Sequence, residues 1–249
     1  MPKRRAIVAA CALLVVGCGS EAGSDLLAGA DRNVTLDPPV SEVDVESTPD
    51  PSADAAAALA ADQAGAFAAW QAYQAAVLDR DGEAASAVVS RGTHNYYAAL
   101  LDAALHANEA QLDQLPVVDV TTVLIARFRY SAGQLDALDG RGFMALTVDD
   151  GLIDDSTAEG VTFDQAEIVG DSAVLRTSAA DQKLRMLQMR REDGAWKVHL
   201  VAAVRDLGQP LDRFAREQSL SPTAASLTLL RRSAPEASSD VLQPLQPRR

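Results

Sequence analysis

A chain of 249 residues allows one or two domains. Its 22 Lys+Arg against 35 Asp+Glu give a net charge of -13 and a pI near 4.6. That balance excludes the broad basic surface that nucleic acid or anionic lipid headgroups require. Hydrophobic residues make up 48%, but many are Ala and aromatics are only 4%, so the expectation is one modest core with polar tails.

The first seventeen residues read as an address. Lys3, Arg4 and Arg5 precede an apolar run over residues 6–16, and the run ends in small residues. This is the pattern of a secretory signal peptide, too short to span a bilayer as a helix. Val15, Val16, Gly17 and Cys18 resemble the bacterial lipobox, in which a small residue precedes an obligatory Cys. The resemblance implies diacylglycerol on Cys18, cleavage before it and acylation of the new amine. Two or more acyl chains make a durable anchor where one is marginal. It also implies a place in the bacterial cell envelope, on the periplasmic face. Gly19, standing where Asp resembles an inner-membrane retention signal, leans toward the outer membrane. With Cys11 lost in the leader and Cys18 lipidated, no disulfide and no thiol chemistry are expected in the mature domain.

Residues 18–54 are expected to be a disordered acidic tether. Pro38, Pro39, Pro49 and Pro51 lie among scattered acids, and Arg32 is the one base. Such a segment buries too little apolar surface to order itself, and its coil would span roughly 30–40 Å. The domain is expected over residues 55–220. Residues 55–78 predict a helix with Phe67, Trp70, Tyr73 or Gln74, and Val77 on one stripe. Asp79, Arg80, Asp81 and Gly82 break it, and Asp81 is placed to cap a short helix through Val89. A further helix opens at Thr93, with Tyr97, Leu101, Leu105 and Leu112 as its buried line. Pro116 suits the start of the next, over residues 117–130, although its β-branched residues also fit a strand. Residues 132–148 read as two short helices broken at Asp139 and Gly140, followed by a polar loop to Gly160.

Residues 161–204 then read as an antiparallel meander. Gly170-Asp171 and Asp193-Gly194 are its turns, since Gly supplies the positive φ that tight hairpins need. The strand over residues 182–191 alternates without a clean apolar face. Beyond it a short helix over 211–218 is expected, and residues 221–249 read as a mostly disordered tail in which Leu227–Leu230 could pack.

The aromatic first helix, the charged break over 79–85 and the closing hairpin Arg191-Glu-Asp-Gly-Ala-Trp-Lys-Val198 together resemble the NTF2-like superfamily. That resemblance covers residues 63–204. It implies an α+β fold in which a curved antiparallel sheet meander wraps helices into a cone, with the Trp packed on the sheet. The superfamily holds isomerases, cyclases and dehydratases as well as non-catalytic binding modules, and the fold alone does not choose among them. Its enzymes place an Asp or His base and a Tyr or Asp donor inside the cone.

Donors here are Tyr73, Tyr96, Tyr97 and Tyr130, and the histidines are His94, His106 and His199. In an open cone, Arg185 or His199 would face the pocket and hold an anionic ligand, with Tyr97 a further ligand-binding candidate. Asp102 and His106, four apart on one helix, can touch, but they read as a solvated pair rather than a ligand set. Arg127 and Arg129 suit the negative end of an apolar helix. The acids around 149–155 lack the spacing of an EF-hand loop. No phosphate-cradling glycine loop, nucleophile elbow or zinc-protease motif is present, and no metal or cofactor is expected.

The expected function is a non-enzymatic binding or interaction module anchored to the membrane by lipid. Its partner would be a small hydrophobic or anionic ligand or an envelope protein. The alternatives are an isomerase or dehydratase using a pocket Asp or His with a Tyr, and a structural envelope component with a filled core.

Overall fold

Apolar residues spaced three and four apart give helix α1 (Pro51–Asp79) a buried stripe of Ala66, Trp70, Tyr73 and Val77. The computed structural model describes residues 51–153, 158–180, 182 and 184–246, and in it the sheet is laid against this stripe. The leader, Cys18 and nearly all of the expected tether lie outside the described residues. Helix α1 begins at Pro51, inside the stretch expected to be tether, and its first turns over residues 52–61 are exposed. No helix among the described residues is long and apolar enough to cross a membrane.

Arg80 ends α1 in the left-handed region (φ 55), with the Asp81 amide donating to Ala76 O at 2.9 Å. Asp81 then caps α2 (Gly82–Ala87) by accepting from the Ala84 amide at 2.9 Å, as its position predicts. Gly82 lets α2 touch its neighbour, because a Cβ there would lie 2.1 Å from Ala145 O. Ser90 caps α3 (Arg91–His106), which starts two residues before the expected Thr93. The apolar line continues past a break at Ala107 into α4 (Glu109–Leu112), and Tyr97, Leu101, Leu105 and Leu112 are all buried. Residues Val117–Arg129 form helix α5, so tertiary packing overrides the β-branched preference. The two short helices α6 (Ala132–Asp136) and α7 (Gly140–Asp149) follow, with Asp139 capping the second.

Four strands, β1 (Gln165–Val169), β2 (Ser172–Arg176), β3 (Met186–Glu192) and β4 (Ala195–His199), make an open antiparallel meander in sequence order. The β3–β4 turn is the expected one, with Asp193 at φ 52 and Gly194 at φ 78. The register places Ala173, Leu175, Leu187, Met189, Trp196 and Val198 on the inner face, all of them buried. Arg191 shares that face at its rim, where it pairs with Asp62 of α1 and lies 4.7 Å over the Trp196 ring. The outer edge of β4 is partly shielded, since Val198 N donates to Val88 O and Ser90 N donates to Val198 O, each at 2.9 Å.

Three expectations fail after the sheet. The last strand stops at His199 instead of running to Val204, and α8 (Leu200–Glu217) replaces the short helix expected over 211–218. Leu200, Ala203, Val204, Leu211 and Ala215 recur at helical spacing, and no Gly or Pro marks the switch, which is why the strand pattern seemed to continue. The tail is also ordered: α9 (Pro222–Ser233) is capped by Ser221 with Pro222 in its first turn, and a 3-10 turn follows at Ser239–Leu242. Ala225, Leu227, Leu230, Ala234, Ala237 and Val241 are buried there. Helix α9 packs on α5, so its apolar residues find cover that their polar neighbours conceal in the sequence.

The result is an α+β fold with nine α-helices among the described residues. Sheet, α1, and the α3/α7/α5 group enclose one main core, and a small satellite of Val117, Ala215 and Ala225 joins α5, α8 and α9.

Candidate functional site

The space between α1 and the sheet is occupied by rings. Trp70 meets Phe163 edge-on at 5.3 Å and lies tilted against Tyr73 at 5.8 Å, while Trp196 and the inward sheet residues are buried around them. Trp70 also donates its indole N–H to Val161 O at 3.4 Å, and Gln74 donates to the same carbonyl at 3.0 Å. These bonds fix the segment entering β1 against α1.

Tyr97, a ligand-binding candidate from the sequence, belongs to this interior. It is 5% exposed, between Tyr96 at 5.4 Å and Phe143 at 6.2 Å. Burial pushes its phenol up to about 12, against the hydrogen bond it shares with Thr147. Arg185 departs from expectation more sharply. It is exposed, just before β3, and its described backbone role is to accept from the Thr177 amide at 3.3 Å. The face alternation assumed for residues 182–191 starts only at Met186, so Arg185 lines no interior pocket.

His199 stands where β4 turns into α8. Its Nδ1 is 2.8 Å from Ser90 Oγ. A Ser–His contact suggests nucleophilic chemistry, but Ser90 is fully buried and its oxygen already accepts from the Thr93 amide at 3.2 Å to cap α3. Thr93 Oγ1 in turn accepts from the Leu200 amide at 3.0 Å and donates to Val198 O at 3.4 Å. This network joins two helix starts to a strand end. Burial, and then the neighbouring Arg190, hold the His199 imidazole below its ordinary range against the pull of Glu192.

The carboxylate–tyrosine pair that the superfamily resemblance implies has a counterpart outside the aromatic cluster. Tyr96 donates to Asp119 Oδ1 at 2.5 Å, joining α3 to the first turn of α5. Burial raises the Asp119 carboxyl, and Asp212 adds to the rise, against the Tyr96 bond and Arg205. Asp119 went unnoticed in the sequence, where the one available signal was a lone acid inside an apolar helix. Tyr130 makes a similar bond to Asp150.

Arg127 is the largest departure. Instead of lying at a helix end in solvent, it is buried and gives all its donors to carbonyls. Nε reaches Ala104 O at 2.8 Å, and Nη2 reaches Ala103 O at 2.7 Å and Ala107 O at 2.5 Å. Nη1 reaches Leu242 O at 2.9 Å and Val241 O at 3.2 Å. The cation therefore completes the carbonyl-rich end of α3 and fastens the C-terminal turn to it. Burial brings its pKa down to about 10, far enough above neutrality to keep the charge. Beside it, His106 lies 4.0 Å from Asp102 as the spacing allows, and its Nδ1 is bonded to Gln246 O at 2.7 Å.

A concavity with charged residues on its border lies away from the core, between α2 and α7. It is a depression of about 440 Å³ open to solvent, lined by Glu83, Ser86, Asp139, Arg141, Gly142 and Ala145. Arg141 donates its Nε–H to Ser86 Oγ at 3.1 Å, and Ser86 is fully buried. Asp139 Oδ1 accepts from the Gly142 amide at 2.7 Å. Among the described residues, no group of three or more His, Cys, Asp or Glu side chains is arranged to hold a metal. Compared with protein-family models, with curated proteins and with solved structures, the chain finds no match in any of the three.

Proposed function

We propose that this chain is an envelope-anchored bacterial lipoprotein, held by acylated Cys18 on the periplasmic face, whose NTF2-like domain is a non-enzymatic binding module. One observation carries the second half of that reading. The place between helix and sheet where an NTF2-like enzyme would seat its substrate is filled by Trp70, Tyr73 and Trp196, while a charged groove stands open on the outside. The ionisable groups nearest the interior already have partners in the fold: Asp119 holds Tyr96, His199 meets the Ser90 cap, and Arg127 holds five carbonyls. An acid–base pair needs a free proton site facing its substrate, and these groups spend theirs on structure. Inward packing of Trp196 from the Asp193-Gly194 hairpin supports the NTF2-like assignment.

The anchor rests on the basic start, the apolar run and the Gly17-Cys18 pair. Metabolic labelling with an acyl-chain probe tests it. Wild type should take the label and Cys18→Ser should lose it, whereas equal labelling of both would end the lipoprotein reading.

A further inference from the structure

We propose that the groove between α2 and α7 binds a small zwitterion of the amino-acid class, with its carboxylate on Arg141 and its ammonium group toward Glu83 and Asp139. The inference rests on the binding-module reading and gives that module a site and a ligand chemistry. It does not depend on the anchor.

Arg141 is exposed, yet it is held. Its Nε–H is fixed by the Oγ of the fully buried Ser86, and Ser86 is immobilised where α2 packs on α7. The backbone of the same residue is tied to α3, since Ser86 O is 3.0 Å from His94 Nε2. Arg141 Nη1 and Nη2 have no hydrogen-bond or ion-pair partner among the described residues. A guanidinium anchored through Nε and open at its Nη pair is preset for a ligand carboxylate, because little side-chain freedom remains to be lost.

The opposite charge lines the same groove. Glu83 projects from the first turn of α2, and Asp139 uses one oxygen to cap α7. Neither acid forms an ion pair with Arg141 within 4.0 Å, although all three border one space. Unlike charges on flexible side chains tend to close up, and in this groove they stand unpaired. A molecule bearing both charges at a short fixed separation satisfies both walls, whereas a simple acid or amine satisfies one. The remaining walls, Gly142 and Ala145, provide no deep apolar slot. Small side chains on the ligand are therefore preferred over bulky ones.

Titration of the full-length protein with L-alanine and glycine, followed through the Gly142 and Ala145 backbone amides by NMR, tests the site. Propionate and ethylamine serve as the single-charge controls. The expected result is saturable shifts with either amino acid and at least about tenfold weaker binding of both controls. Arg141→Gln should weaken alanine binding by about tenfold or more and lower the melt, because it takes a partner from the buried Ser86 hydroxyl, while Glu83→Gln should weaken binding by a few-fold with its thermal melt unchanged because that side chain is exposed. No shift up to about 10 mM amino acid, equal binding of propionate or ethylamine, or undiminished binding by Arg141→Gln would each overturn the proposal. Acyl labelling on the same preparation separates the two claims. Labelled protein with an empty groove removes the groove alone, and a filled groove on unlabelled protein removes the anchor alone.

Discussion

Two halves of this molecule are held together in different ways. Where α1 meets the sheet, the contact is made by rings and aliphatic side chains, and most of the hydrogen bonds there stay within the ladder. Where α3, α5, α8 and α9 meet, side chains repeatedly complete the end of a helix they do not belong to. Arg127 of α5 finishes α3, Asp113 accepts from the Thr223 amide at the start of α9, and Asp212 of α8 accepts from Val117 N at the start of α5. Thr121 of α5 donates to Ser226 Oγ of α9 within the same wall. Apolar burial is tolerant of shape and scales with area, while capping in trans is directional and fails when one atom moves. The first half should accept conservative exchange, and the second should not.

The largest expected effect is on the apolar side. Trp70→Ala should cost about 3–5 kcal/mol by denaturant melts, whereas Trp70→Phe, which keeps a ring against Tyr73 and Phe163, should cost well under half of that. A Phe exchange as damaging as the Ala exchange would place the value of Trp70 in its bond to Val161 O and blur the contrast. Arg127 supplies the counterpart. Arg127→Ala should cost about 2–4 kcal/mol, and here the conservative Arg127→Lys should recover little, because an ammonium has three donors and no planar fork for the five carbonyls. A lysine variant as stable as wild type would show that charge alone suffices. Removing residues 239–249 should destabilise less than additively with Arg127→Lys, since both break the same bonds.

The smallest effect is read by pH. Against desolvation, hydrogen bonds from the hydroxyl and amide of Thr223 and from Ser221 hold the Asp113 carboxyl below its ordinary 3.8. Its contribution is therefore present above that value and lost as pH falls through the lower folded one. His199, also lowered, acts on a different window: the unfolded chain takes up the proton first, so stability falls as pH drops below 6.5. Asp113→Ala should cost about 1–2 kcal/mol at neutral pH and flatten the melts only in the acid window. If it also removed the fall below 6.5, the two groups would be coupled and the assignment of windows would fail.

The same contrast explains what could be read from the sequence. Periodic apolarity made Trp70, Tyr73 and Val77 legible, and local chemistry made the Asp81 cap and the Asp193-Gly194 turn legible. Each of these signals lies within a few residues of its effect. Arg127 gave no such sign, because two of its acceptors are in α3, one is the Ala107 that ends it, and two follow Asp240. The switch from β4 to α8 at Leu200 lacks a breaker, and α9 hides its apolar residues among Ser, Thr and Arg. The candidate residues divide along the same line. Tyr97 and His199 were recognisable as functional types, but their surroundings were not. Arg141 acquires its position from Ser86, 55 residues away, so nothing near it in the chain marked it out.

The clasp at Arg127 bears on how the protein comes into being. Its last two acceptors, Val241 and Leu242, follow it in the chain by 114 and 115 residues. Until they arrive, a guanidinium between two helices has nothing to neutralise its open side, and that end of the molecule stays unfinished. Completion thus waits on translation passing Leu242, and a product truncated before that point carries an interior fault that quality-control proteases can find.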